Sequence, residues 1–192
     1  MLIKPHIHST NLPYHVTSRS FNKEQFPLPI EKMWELAGCS FKEANEIYPI
    51  NLISFVLMSN HYHMLLYTPQ GNLNLFMQEF NKILCSKVKS ESSQNEQVFC
   101  KRYDWCVVQS NKYLANCFRY IYQNPIRAGL VYRCEEYSYS TLQVCLGISK
   151  FSIPIHDKFG FKDEYGLFWL NEMIREQEIN TIKNNLFKTI FI

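Results

Sequence analysis

This sequence predicts an α+β fold: an antiparallel, ferredoxin-like sheet of βαββαβ plan with helices on one face, together with a helix that carries a tyrosine. Three observations carry the expectation. The run Phe55-Val-Leu-Met-Ser-Asn-His-Tyr-His-Met-Leu-Leu-Tyr67 is apolar except for a small polar knot at Ser59-Asn60-His61, so it reads as two buried strands joined by a tight turn. Leu73, Phe76, Met77, Phe80, Ile83, Leu84 and Val88 recur at steps of three and four, the spacing of a long amphipathic helix. The segments around them follow the order strand, helix, strand, strand, helix, strand, helix.

Taken from the start, Tyr14-His-Val-Thr-Ser-Arg-Ser20 alternates, is rich in β-branched and aromatic residues, and is entered through Pro13, which predicts the first strand. Pro27 and Pro29 lead into a helix from Ile30 to Ala37, which Gly38 is expected to interrupt. Phe41 to Tyr48 reads as helix again, and Pro49 ends it. Ile53 to Met58 and His63 to Tyr67 are the central strands, with His61 and His63 opening the second. Thr68-Pro-Gln-Gly71 then turns the chain into the long helix, whose polar face carries Lys82, Lys87 and Lys89. Ser90 to Gln97 is a polar loop.

Tyr103 to Gln109 predicts the fourth strand. Lys112 to Tyr122 predicts a helix capped by Ser110 or Asn111, with Tyr113, Leu114, Cys117 and Ile121 buried and a stop at Asn124-Pro125. Ile126 to Val131 is expected to begin a further short helix and close in a turn. Beyond Tyr137 the pattern is weaker: Phe159-Gly-Phe161, Leu167 to Leu170 and Ile179 to Leu186 suggest two short helices that cover part of the domain. The helices of the βαββαβ unit would leave the other face of the sheet available.

With 192 residues the chain is long enough to bury a sizeable core as one domain, with a C-terminal appendage. Its hydrophobic fraction of 46% excludes a disordered or fibrous protein. The net charge of +3 permits nucleic-acid binding without requiring it, and 12 Tyr and 14 Phe suit base stacking as well as core packing. Seven cysteines, an odd number without a Cys-x-x-Cys spacing, read as reduced core residues of a cytoplasmic protein. No apolar run approaches the ~18 residues of a transmembrane helix, so no membrane partner is expected.

The chemistry begins at His61 and His63. Residues i and i+2 of a strand share a face, so the two imidazoles would stand side by side as ligands for a divalent metal. The pair alone also fits ordinary core histidines, and His6-Ile-His8 offers a second His-x-His in a weaker setting. The other informative stretch is Phe118-Arg-Tyr-Ile-Tyr-Gln-Asn-Pro-Ile-Arg-Ala-Gly-Leu-Val131. On a helix Tyr120 and Asn124 lie one above the other, while Tyr122 points elsewhere. A core tyrosine and a helix-capping asparagine account for these residues too. Brought together with the His pair, however, they form a site in which Mg²⁺ or Mn²⁺, held by His61, His63 and an amide oxygen, polarises a phosphodiester for attack by a phenolate. The phenol needs a nearby cation, because its ordinary pKa is about 10; Arg119, Arg127 or the metal would supply the charge.

In register, Tyr14-His-Val-Thr-Ser-Arg, Val56-Leu-Met-Ser-Asn-His-Tyr-His-Met-Leu-Leu and Tyr120-Ile-Tyr-Gln-Asn-Pro-Ile-Arg-Ala-Gly-Leu-Val resemble the HUH single-tyrosine transposases, in the branch associated with repetitive extragenic palindromes (REP). The similarity runs on through Glu136-Tyr-Ser-Tyr-Ser-Thr-Leu142 and spans residues 12–146. It implies a catalytic domain over 1–146, with 147–192 as a C-terminal helical extension of unknown role. It also implies recognition of hairpins in single-stranded DNA, metal-dependent cleavage beside them, and rejoining in DNA transposition. By the resemblance His61 and His63 are the metal pair, Tyr120 is the nucleophile that joins a DNA 5′-phosphate, and Asn124 is the third ligand. Relatives occur as homodimers that exchange the tyrosine helix and as monomers that keep it, so both states stay open.

The chain departs from the family pattern at two places. Ser59 stands where Pro is common, and Tyr122 stands where many relatives have His, which puts a second phenol near the first. Arg19, Lys23, Arg102, Arg119 and Arg127 are expected to neutralise DNA phosphates, with Lys82, Lys87, Lys89, Lys101 and Arg133 as weaker candidates. Two other readings remain: a domesticated, catalytically inactive hairpin-binding protein, and a hydrolase whose His pair activates water without any tyrosine.

Overall fold

The computed structural model describes residues 9–92, 98–99, 102–159 and 164–186. His6, His8, Lys101 and Phe161, named above, lie outside the described residues. Among the described residues four strands form one sheet, β1 (Tyr14–Arg19), β2 (Asn51–Leu57), β3 (His61–Tyr67) and β4 (Asp104–Val107), antiparallel in the order β2-β3-β1-β4. This is the strand order of the βαββαβ plan. Helix α1 (Ile30–Ile47) links β1 to β2, and α2 (Leu73–Glu91) links β3 to β4. A third helix, α3 (Asn111–Arg127), follows β4.

Alternation along the strands divides the core in two. Tyr14, Val16, Tyr62, Met64 and Leu66 face α1 and α2, where Phe41, Phe76 and Phe80 meet them. The ring centres of Phe41 and Phe80 lie 4.4 Å apart and those of Phe41 and Phe55 4.9 Å apart, so aromatic packing dominates this layer. The opposite face is not open. Ile53, Val56 and Leu65 pack there against Leu114, Cys117, Phe118 and Ile121 of α3, so the tyrosine helix covers the face that the βαββαβ pattern left free.

Four boundaries differ from the sequence reading, the first three for a local reason. Helix α1 runs unbroken through Gly38, because the glycine serves a close approach instead of a break: a Cβ there would lie 2.8 Å from Ser152 Oγ. Helix α3 continues through Pro125 to Arg127. Proline supplies no N–H to the Ile121 carbonyl one turn back; the Asn124 side chain reaches that carbonyl at 3.4 Å while donating to the Tyr120 carbonyl at 2.8 Å. The stretch after it is the end of α3 and no new helix. Gly129, at φ +70°, donates to Ile126 and Leu130 donates to Pro125, the pair of bonds that closes a helix on a left-handed residue. The fourth strand is also shorter than Tyr103 to Gln109, at four residues.

The segment after α3 shields the edge of β2. Leu57 donates to the Tyr139 carbonyl, Thr141 to the Phe55 carbonyl, and the Tyr137 hydroxyl to the Leu57 carbonyl. A short helix α4 (Leu142–Cys145) follows, then α5 (Glu164–Asn171) and α6 (Glu176–Asn185). Leu170, Ile174, Ile179 and Ile182 complete the apolar layer over α3. Among the described residues no helix is long and apolar enough to cross a membrane.

Candidate functional site

Antiparallel pairing of β1 with β3 sets Arg19 opposite His61 and Thr17 opposite His63. Because these residues sit at steps of two, they all project toward α3. The ring centres of His61 and His63 are 5.2 Å apart and nearly perpendicular. Each ring has one nitrogen engaged. His61 Nδ1 lies 2.6 Å from Asn60 Oδ1, which can only accept, so Nδ1 carries the proton and Nε2 keeps its lone pair. His63 Nδ1 lies 3.1 Å from Nε2 of His15, a histidine the sequence reading gave no role.

Burial keeps all three rings neutral. It depresses His61 to about 4, with help from the Arg19 charge, and His15 to about 3. His63 lies well below its ordinary value for the same reason, aided by its charged and imidazole neighbours. Neutral imidazole is the form that binds metals.

Tyr120 comes to this site from α3. Its ring centre is 5.6 Å from that of His63 and 6.0 Å from that of His15, edge-on to both. Burial raises its pKa, while Arg127 and Arg19 pull it back down. Asn124, one turn on, spends its amide nitrogen on the α3 backbone, which leaves the oxygen as its remaining polar group in the cleft. Two imidazole nitrogens and an amide oxygen suit a divalent cation that keeps water or phosphate oxygens in its other positions. Among the described residues no three His, Cys, Asp or Glu side chains group to hold a metal, so the amide and outside ligands would have to complete the shell.

His61, His63, Tyr120 and Asn124 line a cleft of about 630 Å³. Arg19, Lys23, Arg102, Arg127 and Lys183 converge on it, against Asp104 as the acidic lining residue. Lys23 is set by an unusual backbone: Asn22 and Lys23 both adopt positive φ, at 52° and 65°. Such residues cost about 1 kcal/mol each and persist where their surroundings fix them. Asn60 does so here by donating from Nδ2 to the Lys23 carbonyl at 2.8 Å, so one side chain holds both the Lys23 loop and the His61 ring.

Not every expected residue reaches the cleft. Arg119 is 9% exposed, donates to the Glu172 carbonyl, pairs with the Glu172 carboxylate at 3.6 Å and lies over the Trp169 ring. It fastens the C-terminal segment to α3 instead of meeting solvent. Tyr122 is 1% exposed and shares a 2.9 Å hydrogen bond with Thr141 Oγ1, on the side of α3 away from the His pair. Lys82 and Lys87 pair with Glu79 and Glu43, and Arg133 pairs with Glu135. The residues missed were His15, Asp104 and Lys183. His15 shares the alternation of Thr17 and Arg19, a signal that could have placed it on the site face once the strand pairing was known.

A ferredoxin-like sheet whose His-x-His strand faces a tyrosine helix defines the HUH class of transposase folds. The chain belongs to the IS200-like transposase family, whose model matches residues 8–124. It is 25% identical over 113 residues to a Haemophilus influenzae protein named for the REP-associated tyrosine transposases, a match covering 53% of this chain and 64% of that one. The chain therefore spans a little under two thirds of this relative's length. Its fold matches a solved REP-associated tyrosine transposase bound to a REP hairpin, with a TM-score of 0.65 and 16% identity, over 80% of this chain and 92% of that one.

Proposed function

We propose that this protein is a single-stranded DNA transposase that binds hairpin DNA and cleaves and rejoins strands through a 5′-phosphotyrosine. The observation that carries the reading is the meeting of Tyr120 with the His63 ring, 5.6 Å between centres, in a cleft lined by five basic side chains. The family assignment supports it, and so does the hairpin held by the structural relative.

The basic residues Arg19, Lys23, Arg102 and Arg127 bind the backbone of a single strand next to the hairpin. Arg127 and Arg19 also stabilise the phenolate of Tyr120 as its proton departs to solvent. The Tyr120 oxygen attacks the scissile phosphorus. An O–P bond to tyrosine forms, the bond from phosphorus to the 3′-oxygen breaks, and that oxygen takes up a proton as a free 3′-hydroxyl. The ester retains the bond energy, so a 3′-hydroxyl can later attack it and restore Tyr120. His61, His63 and Asn124 are the residues that would hold Mg²⁺ or Mn²⁺. When bound, the ion supplies charge that polarises the phosphate.

Residues 1–146 would form the catalytic unit, working in the cytoplasm on hairpin DNA. The extension 147–192 contributes to the cleft wall through Lys183 and Leu186 of the α6 region. Whether one chain or an exchanged homodimer works, the geometry within one chain already sets its own Tyr120 against its own His pair.

The test is incubation with 5′- and 3′-labelled hairpin oligonucleotides and Mn²⁺ on a denaturing gel. A metal-dependent covalent adduct is expected. Tight binding without an adduct would favour the inactive DNA-binding reading, and cleavage without an adduct would favour the hydrolase.

A further inference from the structure

The metal reading leaves one buried imidazole without a task. His15 is fully buried on β1, its Nε2 faces His63 Nδ1 at 3.1 Å, and its ring is edge-on to Tyr120. Its own Nδ1 has no hydrogen-bond partner among the described residues. A buried, unpartnered polar atom costs roughly 1–3 kcal/mol, so a plain packing role would be better filled by a phenylalanine.

The hydrogen bond between the two rings can be made in two ways. In one, His15 Nε2–H donates, and His63 then carries its proton on Nε2, the only nitrogen it has left to offer a cation. In the other, His63 Nδ1–H donates to His15 Nε2, and the Nε2 lone pair of His63 is free. The second arrangement puts the His15 proton on Nδ1, the atom that lacks a partner. The arrangement that can bind metal is thus the one that leaves a buried donor unsatisfied. An ion at His63 supplies the compensation.

We propose that His15 is a positioning residue for the metal pair: its Nε2 accepts the Nδ1 proton of His63, which fixes the tautomer and orientation of that ring and aims its Nε2 at the cation. The arrangement places an imidazole where metal-bound histidines more often find a carboxylate or a carbonyl. His61 is held in the parallel way by the Asn60 amide oxygen, so each ligand has its own orienting partner. The inference rests on the proposed metal site.

The test measures Mn²⁺ affinity of the full chain by calorimetry for wild type, His15→Phe and His15→Gln, with circular dichroism to confirm folding. Phenylalanine keeps the ring volume and removes the acceptor; glutamine keeps an acceptor. His15→Phe is expected to weaken Mn²⁺ binding about 10–100-fold, and His15→Gln to recover most of it. A ¹⁵N spectrum of the wild-type histidines with Mg²⁺ should show His63 protonated on Nδ1. A folded His15→Phe that binds Mn²⁺ as wild type does would overturn the proposal, as would loss in both variants or a His63 proton on Nε2. Absence of Mn²⁺ binding by wild type would overturn the metal site itself, and with it this role.

Discussion

The Asn124 side chain donates from Nδ2 to the Tyr120 carbonyl, one turn earlier on α3, across 2.8 Å. The contact joins the proposed nucleophile to the proposed third metal ligand through the backbone that carries both. The same Nδ2 also lies 3.4 Å from the Ile121 carbonyl, which Pro125 leaves without an N–H, and with the nitrogen spent on the backbone the amide oxygen remains for the cleft. Asn124→Ala is therefore expected to cost about 1 kcal/mol in stability and to weaken Mn²⁺ binding. Asn124→Asp cannot donate, so it should share the stability loss while keeping Mn²⁺ affinity. Urea unfolding and calorimetry of the two variants check the separation.

Tyr122 and Tyr120 are two residues apart and have different neighbours. The Tyr122 hydroxyl meets Thr141, whose own Oγ1 accepts from the Phe55 N–H. Tyr122→Phe should lose about 1 kcal/mol of stability through that hydrogen bond and leave adduct formation unchanged. An adduct lost in Tyr122→Phe would contradict the assignment.

The arginines divide in the same manner. Arg119→Ala removes a buried cation from Glu172 and Trp169, so its expected effect is a lower melting temperature with unchanged hairpin affinity. Arg127→Ala and Lys183→Ala should bind a labelled hairpin several-fold more weakly, each reducing the slope of log K against log salt by roughly one. Anisotropy titrations at several salt concentrations distinguish the two outcomes.

Stability of the metal-free protein should fall in mild acid. His61, at about 4 in the fold, titrates near 6.5 when unfolded, and His15 and His63 are depressed as well. Between those values the unfolded chain binds more protons, so unfolding free energy rises with pH there. The contribution is fully present above about 6.5 and is lost as pH falls toward 4. Urea midpoints measured from pH 7 to 4 should decline, and replacing His15 by Gln should flatten part of the decline.

Much of this was legible in the sequence because it rests on short periodicities. The His-x-His step of two and the Tyr120 to Asn124 step of four each fix a shared face without tertiary information. Residues whose role depends on register or on distant chain were not legible. His15 meets His63 only through the pairing of β1 with β3, and Lys183 reaches the cleft only because α6 packs on α3. Arg119 illustrates the converse. A lone arginine beside the tyrosine suggested phosphate binding, while Glu172 and Trp169, which bury it, lie 50 or more residues away in the chain. Pro125 reads as a stop because proline lacks an N–H, whereas in the fold the neighbouring Asn124 amide lies 3.4 Å from the Ile121 carbonyl left without one.

The most direct test of the central claim is to locate the covalent bond. After reaction with a hairpin oligonucleotide and Mn²⁺, nuclease and trypsin digestion releases the peptide Tyr120-Ile-Tyr-Gln-Asn-Pro-Ile-Arg127, which contains both phenols. Fragmentation by mass spectrometry should place the nucleotide on Tyr120. A nucleotide on Tyr122, or a peptide that never gains mass although the hairpin is bound, would contradict the account.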